Sequence, residues 1–290
     1  MFERFENLQI EANGTTINLV KGGTGPPVLM LHGYPQTHAM WNKIAPRLAE
    51  AFTVVCPDLR GYGDSAKVEG DPEHINYSKR VMAQDQVDVM KRLGFDQFYL
   101  VGHDRGGRVS HRLTKDHPNS VLKLVTLDII PTRTMFQIVN KDFATNTYHW
   151  FFLIQPYDFP ERVIGADPEF YAGRGFNRVS EADSVFTPEA LADYLRCFNN
   201  PGTIHAVCED YRAGATIDLV HDDADFDQKV NCPMLAMWSS TGYIGRTQDV
   251  LKIWQDYATD VRGQSLTCGH YIAEEMPDEA YSAIKGFLSE

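Results

Sequence analysis

The sequence predicts an α/β fold with a mostly parallel central sheet and an inserted helical cap. Short apolar runs separated by helix-length stretches are typical of buried parallel strands in βαβ units, and such runs lie at 28–31, 53–56, 98–101, 122–127 and 234–238. The alternation breaks over residues 132–222, which are rich in aromatic residues and helix-like segments such as 188–198 and 204–212. We therefore predict a core of residues 1–131 and 223–290 and a cap of residues 132–222.

Two further segments predict helices of the core. Residues 82–93 carry apolar side chains at Val87, Met90 and Leu93, near helical spacing, just before the apolar run at 98–101. Residues 278–288 predict a final helix. The core is thus expected to resume near residue 223 and to close with a helix.

Composition excludes several classes of protein. The chain has 290 residues, of which 43% are hydrophobic and 23% charged, as in ordinary globular proteins. No apolar run approaches the roughly 18 residues of a membrane helix, so no membrane association is expected. The net charge of -12 argues against a nucleic-acid partner. An anionic substrate would need local cations in so acidic a chain.

Cysteine usage and the N-terminus indicate a cytoplasmic location. The five cysteines are odd in number and show no C-x-x-C spacing, so we expect reduced thiols rather than a disulfide framework or a metal site. The N-terminal segment MFERFE is charged and has no apolar region, so a secretory signal is not expected.

The most informative motif is the segment GHDRG at 102–106, which follows the strand-like run 97–101. It matches the nucleophile elbow G-x-S-x-G, a sharp strand-to-helix turn, with Asp104 in the place of serine. A serine must lose a proton before it attacks a carbonyl, whereas a carboxylate is already ionised. Its natural electrophile is a saturated carbon with a leaving group, or an epoxide. The elbow therefore predicts an alkyl-ester intermediate.

The elbow belongs to the α/β-hydrolase fold, in which the nucleophile is followed along the chain by an acid and then by a histidine. His270, in the loop before the final helix, occupies the position expected for the base. Residues 239–242 offer no carboxylate, so we assign the acid to Asp128, at the end of the strand that precedes the cap. The alternatives are a solvated or core histidine and an aspartate that merely caps its loop.

Backbone donors for the nucleophile are predicted in two places. The turn HGYP at 32–35 resembles the oxyanion-hole turn of this fold. We expect the backbone N–H groups of Tyr34 and Arg105 to hold one Asp104 oxygen. The segment RGYGDS at 60–65 is assigned a scaffolding role.

Beyond the elbow, three motifs spread over both core and cap carry a family resemblance. The segments HDRGGR at 103–108, HWFFLIQP at 149–156 and DYRAG at 210–214 resemble the fluoroacetate (haloacetate) dehalogenases. The resemblance implies hydrolysis of a small anionic haloacid, fluoroacetate or chloroacetate, to glycolate and halide. It also implies that neither a metal nor an organic cofactor is needed, and that the protein forms a homodimer.

The residue types suit such a substrate at both ends. Arg105 and Arg108 lie on the first turn of the helix after the elbow and can grip a carboxylate, although surface ion pairs are the alternative. At the other end, the resemblance assigns the halide pocket to His149, Trp150 and Tyr211, all hydrogen-bond donors. Aromatic residues in a cap more often serve packing, and epoxide hydrolases use cap tyrosines to protonate the epoxide.

Two rival functions stay open at this stage. An epoxide hydrolase would use the same set of Asp104, Asp128 and His270. A ligand receptor of this fold would lack turnover altogether, although the intact set of three residues argues against it.

Overall fold

A computed structural model describes residues 1–176 and 185–290. An eight-stranded sheet in the order β1-β2-β4-β3-β5-β6-β7-β8 forms its centre. The pairs β1–β2 and β2–β4 are antiparallel, and the other five are parallel. All five predicted apolar runs lie in strands, which confirms the mostly parallel α/β fold. The strands are β1 Glu6–Ala12, β2 Thr15–Gly22, β3 Pro27–Leu31, β4 Thr53–Pro57, β5 Phe98–His103, β6 Val121–Leu127, β7 Met234–Ser239 and β8 Val261–Leu266.

Three strands were not predicted, and each lacks a continuous apolar run. Strands β1 and β2 form a hairpin around Asn13 and Gly14, whose φ angles of 46° and 73° suit the tight turn that joins paired strands. The Asn-Gly dipeptide is a strong hairpin signal. Strand β8 is exposed over most of its length, so its sequence contains few apolar residues.

The predicted core helices are confirmed, with bounds shifted by one to three residues. The segment 82–93 corresponds to the helix Lys79–Arg92, and the final helix is Pro277–Ser289. The other described helices outside the segment between β6 and β7 are His38–Trp41 and Ile75–Tyr77, which are short 3₁₀ turns, and Ala45–Leu48, Asp104–Asp116, Tyr243–Thr247, Val250–Tyr257 and Ile272–Glu275.

Every described element between β6 and β7 is a helix, and we call residues 132–224 the inserted segment. The predicted helix 188–198 is Pro188–Phe198, and 204–212 lies within Pro201–Ala215. The helix Ile217–Ala224 runs past residue 222, where the sequence placed the end of the cap. The remaining helices of this segment in the described residues are Thr132–Gln137, Lys141–Asn146, His149–Phe152, Phe159–Ala166 and Pro168–Phe176.

The sheet brings distant parts of the chain to one edge. Strands β3, β5, β6, β7 and β8 run parallel, so their carboxyl ends meet at the edge where α/β folds bind ligands. The segments that leave this edge carry Tyr34, Asp104, Asp128 and His270. None of the described helices combines the length and the apolar character needed to cross a membrane.

Candidate active site

Asp104 sits on a strained turn between β5 and the helix Asp104–Asp116. Its φ of 45° lies in the left-handed region, which is uncommon for a residue other than glycine and marks the nucleophile elbow. The flanking glycines permit the turn. A Cβ at Gly102 would lie 2.3 Å from Ser110 Oγ, and a Cβ at Gly106 would lie 2.3 Å from the carbonyl oxygen of His32. The pattern G-x-D-x-G is therefore a steric requirement of this turn.

One oxygen of Asp104 is held by the backbone. The N–H of Tyr34 donates to Asp104 Oδ1 at 2.9 Å, as the sequence predicts. In the described residues the amide of Arg105, the second predicted donor, makes no such bond to Asp104. Burial raises the pKa of Asp104, but the charges of His270, His103 and Arg108 outweigh it and lower that pKa to about 2. The carboxylate is therefore ionised at neutral pH.

His270 lies between two carboxylates. Its Nδ1 is 2.6 Å from Asp128 Oδ2, and its Nε2 is 3.8 Å from Asp104 Oδ2, longer than a hydrogen bond. Burial lowers the pKa of His270, but the hydrogen bond and charge of Asp128, with the charge of Asp104, raise it to about 9. The ring is thus oriented by Asp128 and turns its other nitrogen toward Asp104.

Asp128 reaches the histidine although it follows β6 and not β7. Its φ is 51°, and its Oδ1 accepts a hydrogen bond of 2.9 Å from the backbone N–H of Ser239, the last residue of β7. One carboxylate oxygen is thus fixed to the neighbouring strand and the other to His270. Asp128 contacts His270 from the end of β6, which is the neighbour of β7 in the sheet. An acid in the loop after β7 is therefore not needed to orient the histidine.

Arg105 is engaged in a buried ion pair. Its Nε donates to Asp210 Oδ2 at 2.8 Å, and its Nη2 donates to Asp210 Oδ1 at 2.9 Å. Lys79 and the hydroxyl of Tyr62 also bind Asp210. Arg105 does not line the cavity described below, and its charge is already matched by Asp210. Only its Nη1 makes no hydrogen bond within the described residues.

Arg108, unlike Arg105, has no ion-pair partner in the described residues. It is 5% exposed, and its Nη1 donates to the carbonyl of Ile130 and to Thr132 Oγ1, both at 3.0 Å. In the described part of the chain no carboxylate lies within ion-pair distance of this guanidinium. Burial and then the charge of Arg105 lower the pKa of Arg108 to about 10. A buried cation without a carboxylate partner is a receptor for an anion.

The three predicted halide donors lie together. Ring centroids of His149 and Tyr211 are 5.8 Å apart, as are those of Trp150 and Tyr211. The guanidinium of Arg108 lies 4.6 Å from the centre of the Trp150 ring. The Tyr211 hydroxyl is buried and finds no hydrogen-bond partner among the described residues. An unsatisfied buried hydroxyl is costly and indicates a ligand group at that place.

A cavity of about 740 Å³ unites most of these groups. It is lined by Asp104, Arg108, Asp128, His149, Trp150, Tyr211 and His270, so the sequence-predicted residues other than Arg105 share one space. Sequence reasoning missed further lining residues, among them Tyr148, Tyr171, Arg174, Tyr243, Arg246 and Glu275. Most of these lie in loops and short helices without a motif. Glu275 could have been noticed, because it lies five residues after His270.

One group of metal-ligand types lies elsewhere. Asp64, Asp193 and Cys197 approach one another in the described residues. Arg196 occupies both carboxylates, with Nη2 2.8 Å from Asp64 Oδ2 and 2.7 Å from Asp193 Oδ1. None of the four lines the cavity.

Comparisons with known proteins agree with this architecture. Residues 26–277 match the family model of the alpha/beta hydrolase fold. The chain is 46% identical to a fluoroacetate dehalogenase of Burkholderia sp, over 100% of this chain and 96% of that protein. It is 33% identical to a soluble epoxide hydrolase of Corynebacterium sp. (strain C12), over 93% and 92% of the two chains.

A solved structure agrees with this fold over its whole length. An α/β hydrolase from Nostoc sp PCC 7120 is 57% identical and superposes with a TM-score of 0.98 over 100% of both chains. The family match, the full-length relatives and the fold agree. The chain belongs to the haloacetate dehalogenase family of the α/β-hydrolase fold.

Proposed function

We propose that the protein hydrolyses a haloacetate, fluoroacetate or chloroacetate, to glycolate and halide through an ester on Asp104. The observation that carries the proposal is Arg108, a buried guanidinium without a carboxylate partner in the described residues, in the same cavity as the ionised Asp104. A substrate whose electrophilic carbon bears a carboxylate fits this pair. The donors at the other end suit a departing anion.

The first step is a substitution at carbon. Asp104 Oδ2, the oxygen not held by Tyr34, attacks the α-carbon, and the carbon–halogen bond breaks with its electron pair on the halide. Arg108 holds the substrate carboxylate through charge-assisted hydrogen bonds, whereas Arg105, whose charge is matched by Asp210, lies outside the lining of the cavity. His149, Trp150 and Tyr211 donate to the halide as negative charge develops on it.

The second step is hydrolysis of the ester. Water attacks Cγ of Asp104, His270 Nε2 takes its proton, and the Tyr34 N–H stabilises the oxyanion on Oδ1. The Cγ–Oδ2 bond then breaks, and glycolate leaves with that oxygen and takes the proton from His270. The second proton of the water is released to solvent as Asp104 ionises, which restores the carboxylate. Esterification removes the negative charge of Asp104, which helps to raise the pKa of His270. Ester formation therefore lowers the pKa of His270 and favours the neutral imidazole, the form that can accept a proton from water.

The change Arg108→Gln tests the carboxylate receptor. Loss of charge-assisted bonds worth about 1.5–3 kcal/mol corresponds to a fall of about 10- to 100-fold in kcat/KM for chloroacetate. The measurement is steady-state chloride release over a range of concentrations. Arg92→Gln, at the exposed end of the helix Lys79–Arg92, is the matched control. An unchanged kcat/KM in a folded Arg108→Gln protein would remove Arg108 from this role.

The experiment that tests the function compares electrophiles. Fluoride and chloride release from fluoroacetate and chloroacetate is measured together with glycolate, and diol formation from styrene oxide is measured beside it. Stoichiometric halide and glycolate are expected. Diol formation without halide release would favour an epoxide hydrolase, which the Tyr211 hydroxyl and the Corynebacterium relative make the second candidate. The donors His149 and Trp150 in the cavity favour a halide.

Four further features complete the proposal. Residues 132–222 act as a cap, supported by contacts of Asp210 with Arg105, Lys79 and Tyr62 of the core. The location is cytoplasmic, supported by the free state of all five cysteines. The protein works as a homodimer, as the family resemblance implies, and needs no cofactor.

A further inference from the structure

The loop that carries His270 is tied to a single carboxylate on both sides of the histidine. The backbone N–H of Gly269 donates to Glu275 Oε2 at 2.6 Å, and the N–H of Tyr271 donates to Glu275 Oε1 at 2.8 Å. Hydrogen bonds from amides to an ionised carboxylate are stronger than those between neutral groups. Glu275 therefore fixes the backbone immediately before and after His270.

The close approach leaves no space for a side chain at Gly269. A Cβ there would lie 2.8 Å from Glu275 Oε1 and 2.9 Å from Oε2. The glycine and the glutamate thus depend on each other, since the carboxylate reaches the amides only over a residue without a side chain. The Glu275 carboxylate thus closes a loop of seven residues by hydrogen bonds to the backbone at its beginning.

Neighbouring bonds hold the same loop from the core. The Cys268 carbonyl accepts from Ser239 Oγ at 2.5 Å and from the Thr241 hydroxyl, and the His270 carbonyl lies 2.8 Å from His103 Nε2. Four backbone groups between Cys268 and Tyr271 therefore have fixed partners. Glu275 supplies two of the five bonds, and it is the carboxylate among these partners.

We propose that Glu275 is a positioning residue that aims His270 for the hydrolysis of the Asp104 ester. The inference rests on the proposed function. Glu275 makes no contact with the reacting atoms in this assignment. It acts through the backbone of Gly269 and Tyr271, which sets the 2.6 Å contact of His270 Nδ1 with Asp128 and the direction of Nε2. A displacement of a catalytic group by about 1 Å can cost roughly 100-fold in rate.

Glu275 also contributes charge near the ring. The charged or titratable groups that face His270 are Asp128 from the end of β6, Asp104 and His103 from the elbow, and Glu275 from its own loop. Asp128, Asp104 and Glu275 all raise the pKa of His270. A neutral residue at 275 therefore lowers this pKa, in addition to releasing the loop.

The test separates the two chemical steps. In Glu275→Gln, halide release in a single turnover is expected to stay within about twofold of wild type, because Asp104 and Arg108 are untouched. Ester decay, followed by quenching and intact-protein mass, is expected to slow by about tenfold or more. The control Glu279→Gln removes the same charge from an exposed position one turn further on. Equal slowing of both steps, or none, would overturn the assignment.

A second variant separates the effect of loop position from the effect of the Glu275 charge. A second measurement tests the role of Glu275 independently of the proposed function. Glu275→Asp keeps the charge but is too short to span both amides, so slow ester decay is expected together with a lower His270 pKa, because the contact of Nδ1 with Asp128 loosens. The pKa is measured by NMR on histidine-labelled protein and requires no haloacetate. A failure of the wild type to release halide would refute the proposed function alone. An unchanged His270 pKa in folded Glu275→Gln would refute the role of Glu275.

Discussion

Replacement of Asp104 by Asn is expected to abolish halide release, with a fall in kcat of about 10⁴-fold or more, the usual scale for loss of a nucleophile. The amide has the shape of the carboxylate and can still accept the Tyr34 N–H through its oxygen. It lacks the negative charge needed for attack on a saturated carbon. The measurement is fluoride and chloride release under saturating haloacetate.

Two controls show whether Asp104→Asn loses only the chemical step and keeps its fold and substrate binding. Asp96→Asn makes the same change at an exposed position before β5 and should retain full activity. Binding of haloacetate to Asp104→Asn, measured by calorimetry, should persist because Arg108 is intact. Halide release by Asp104→Asn at a rate within tenfold of wild type would show that another group is the nucleophile.

The change His270→Ala is expected to trap the ester. The first step needs no base, since Asp104 is ionised with a pKa of about 2. The second step needs a proton acceptor, and loss of a general base typically costs about 10²- to 10⁴-fold. We expect one burst of halide per active site, after which the protein carries the mass of one glycolyl group on Asp104. Intact-protein and peptide mass spectrometry measure this.

Two observations decide the role of His270. His117→Ala, at the C-terminal end of the elbow helix and outside the lining of the cavity, is the control and should show neither a burst nor an adduct. Steady halide release by His270→Ala without an adduct would contradict the division of labour between the two residues. Absence of any burst would place His270 in the first step instead.

The fold and the triad were predictable because their signals are local. Apolar runs mark β3 to β7, and the elbow glycines mark the turn at Asp104 because only glycine fits beside the backbone there. The order of nucleophile, acid and base then selects His270. The choice of Asp128 agrees with the structure because the Ser239 amide fixes one of its oxygens.

The features that were missed depend on contacts between distant segments. Arg105 lies 105 residues from its partner Asp210, and no local pattern shows that its charge is matched by the inserted segment. The sequence therefore predicts both Arg105 and Arg108 as carboxylate-binding residues, whereas the structure leaves only Arg108 of the two without a carboxylate partner in the described residues. Strand β8 was not predicted because its mostly exposed residues form no apolar run.

The central claim is that Asp104, and not water, attacks the carbon. The most direct measurement is a single turnover of haloacetate in ¹⁸O-labelled water with enzyme in excess. The account predicts unlabelled glycolate, because its hydroxyl oxygen comes from Asp104, and one heavy oxygen in the Asp104 carboxylate. Labelled glycolate with an unlabelled Asp104 would contradict it.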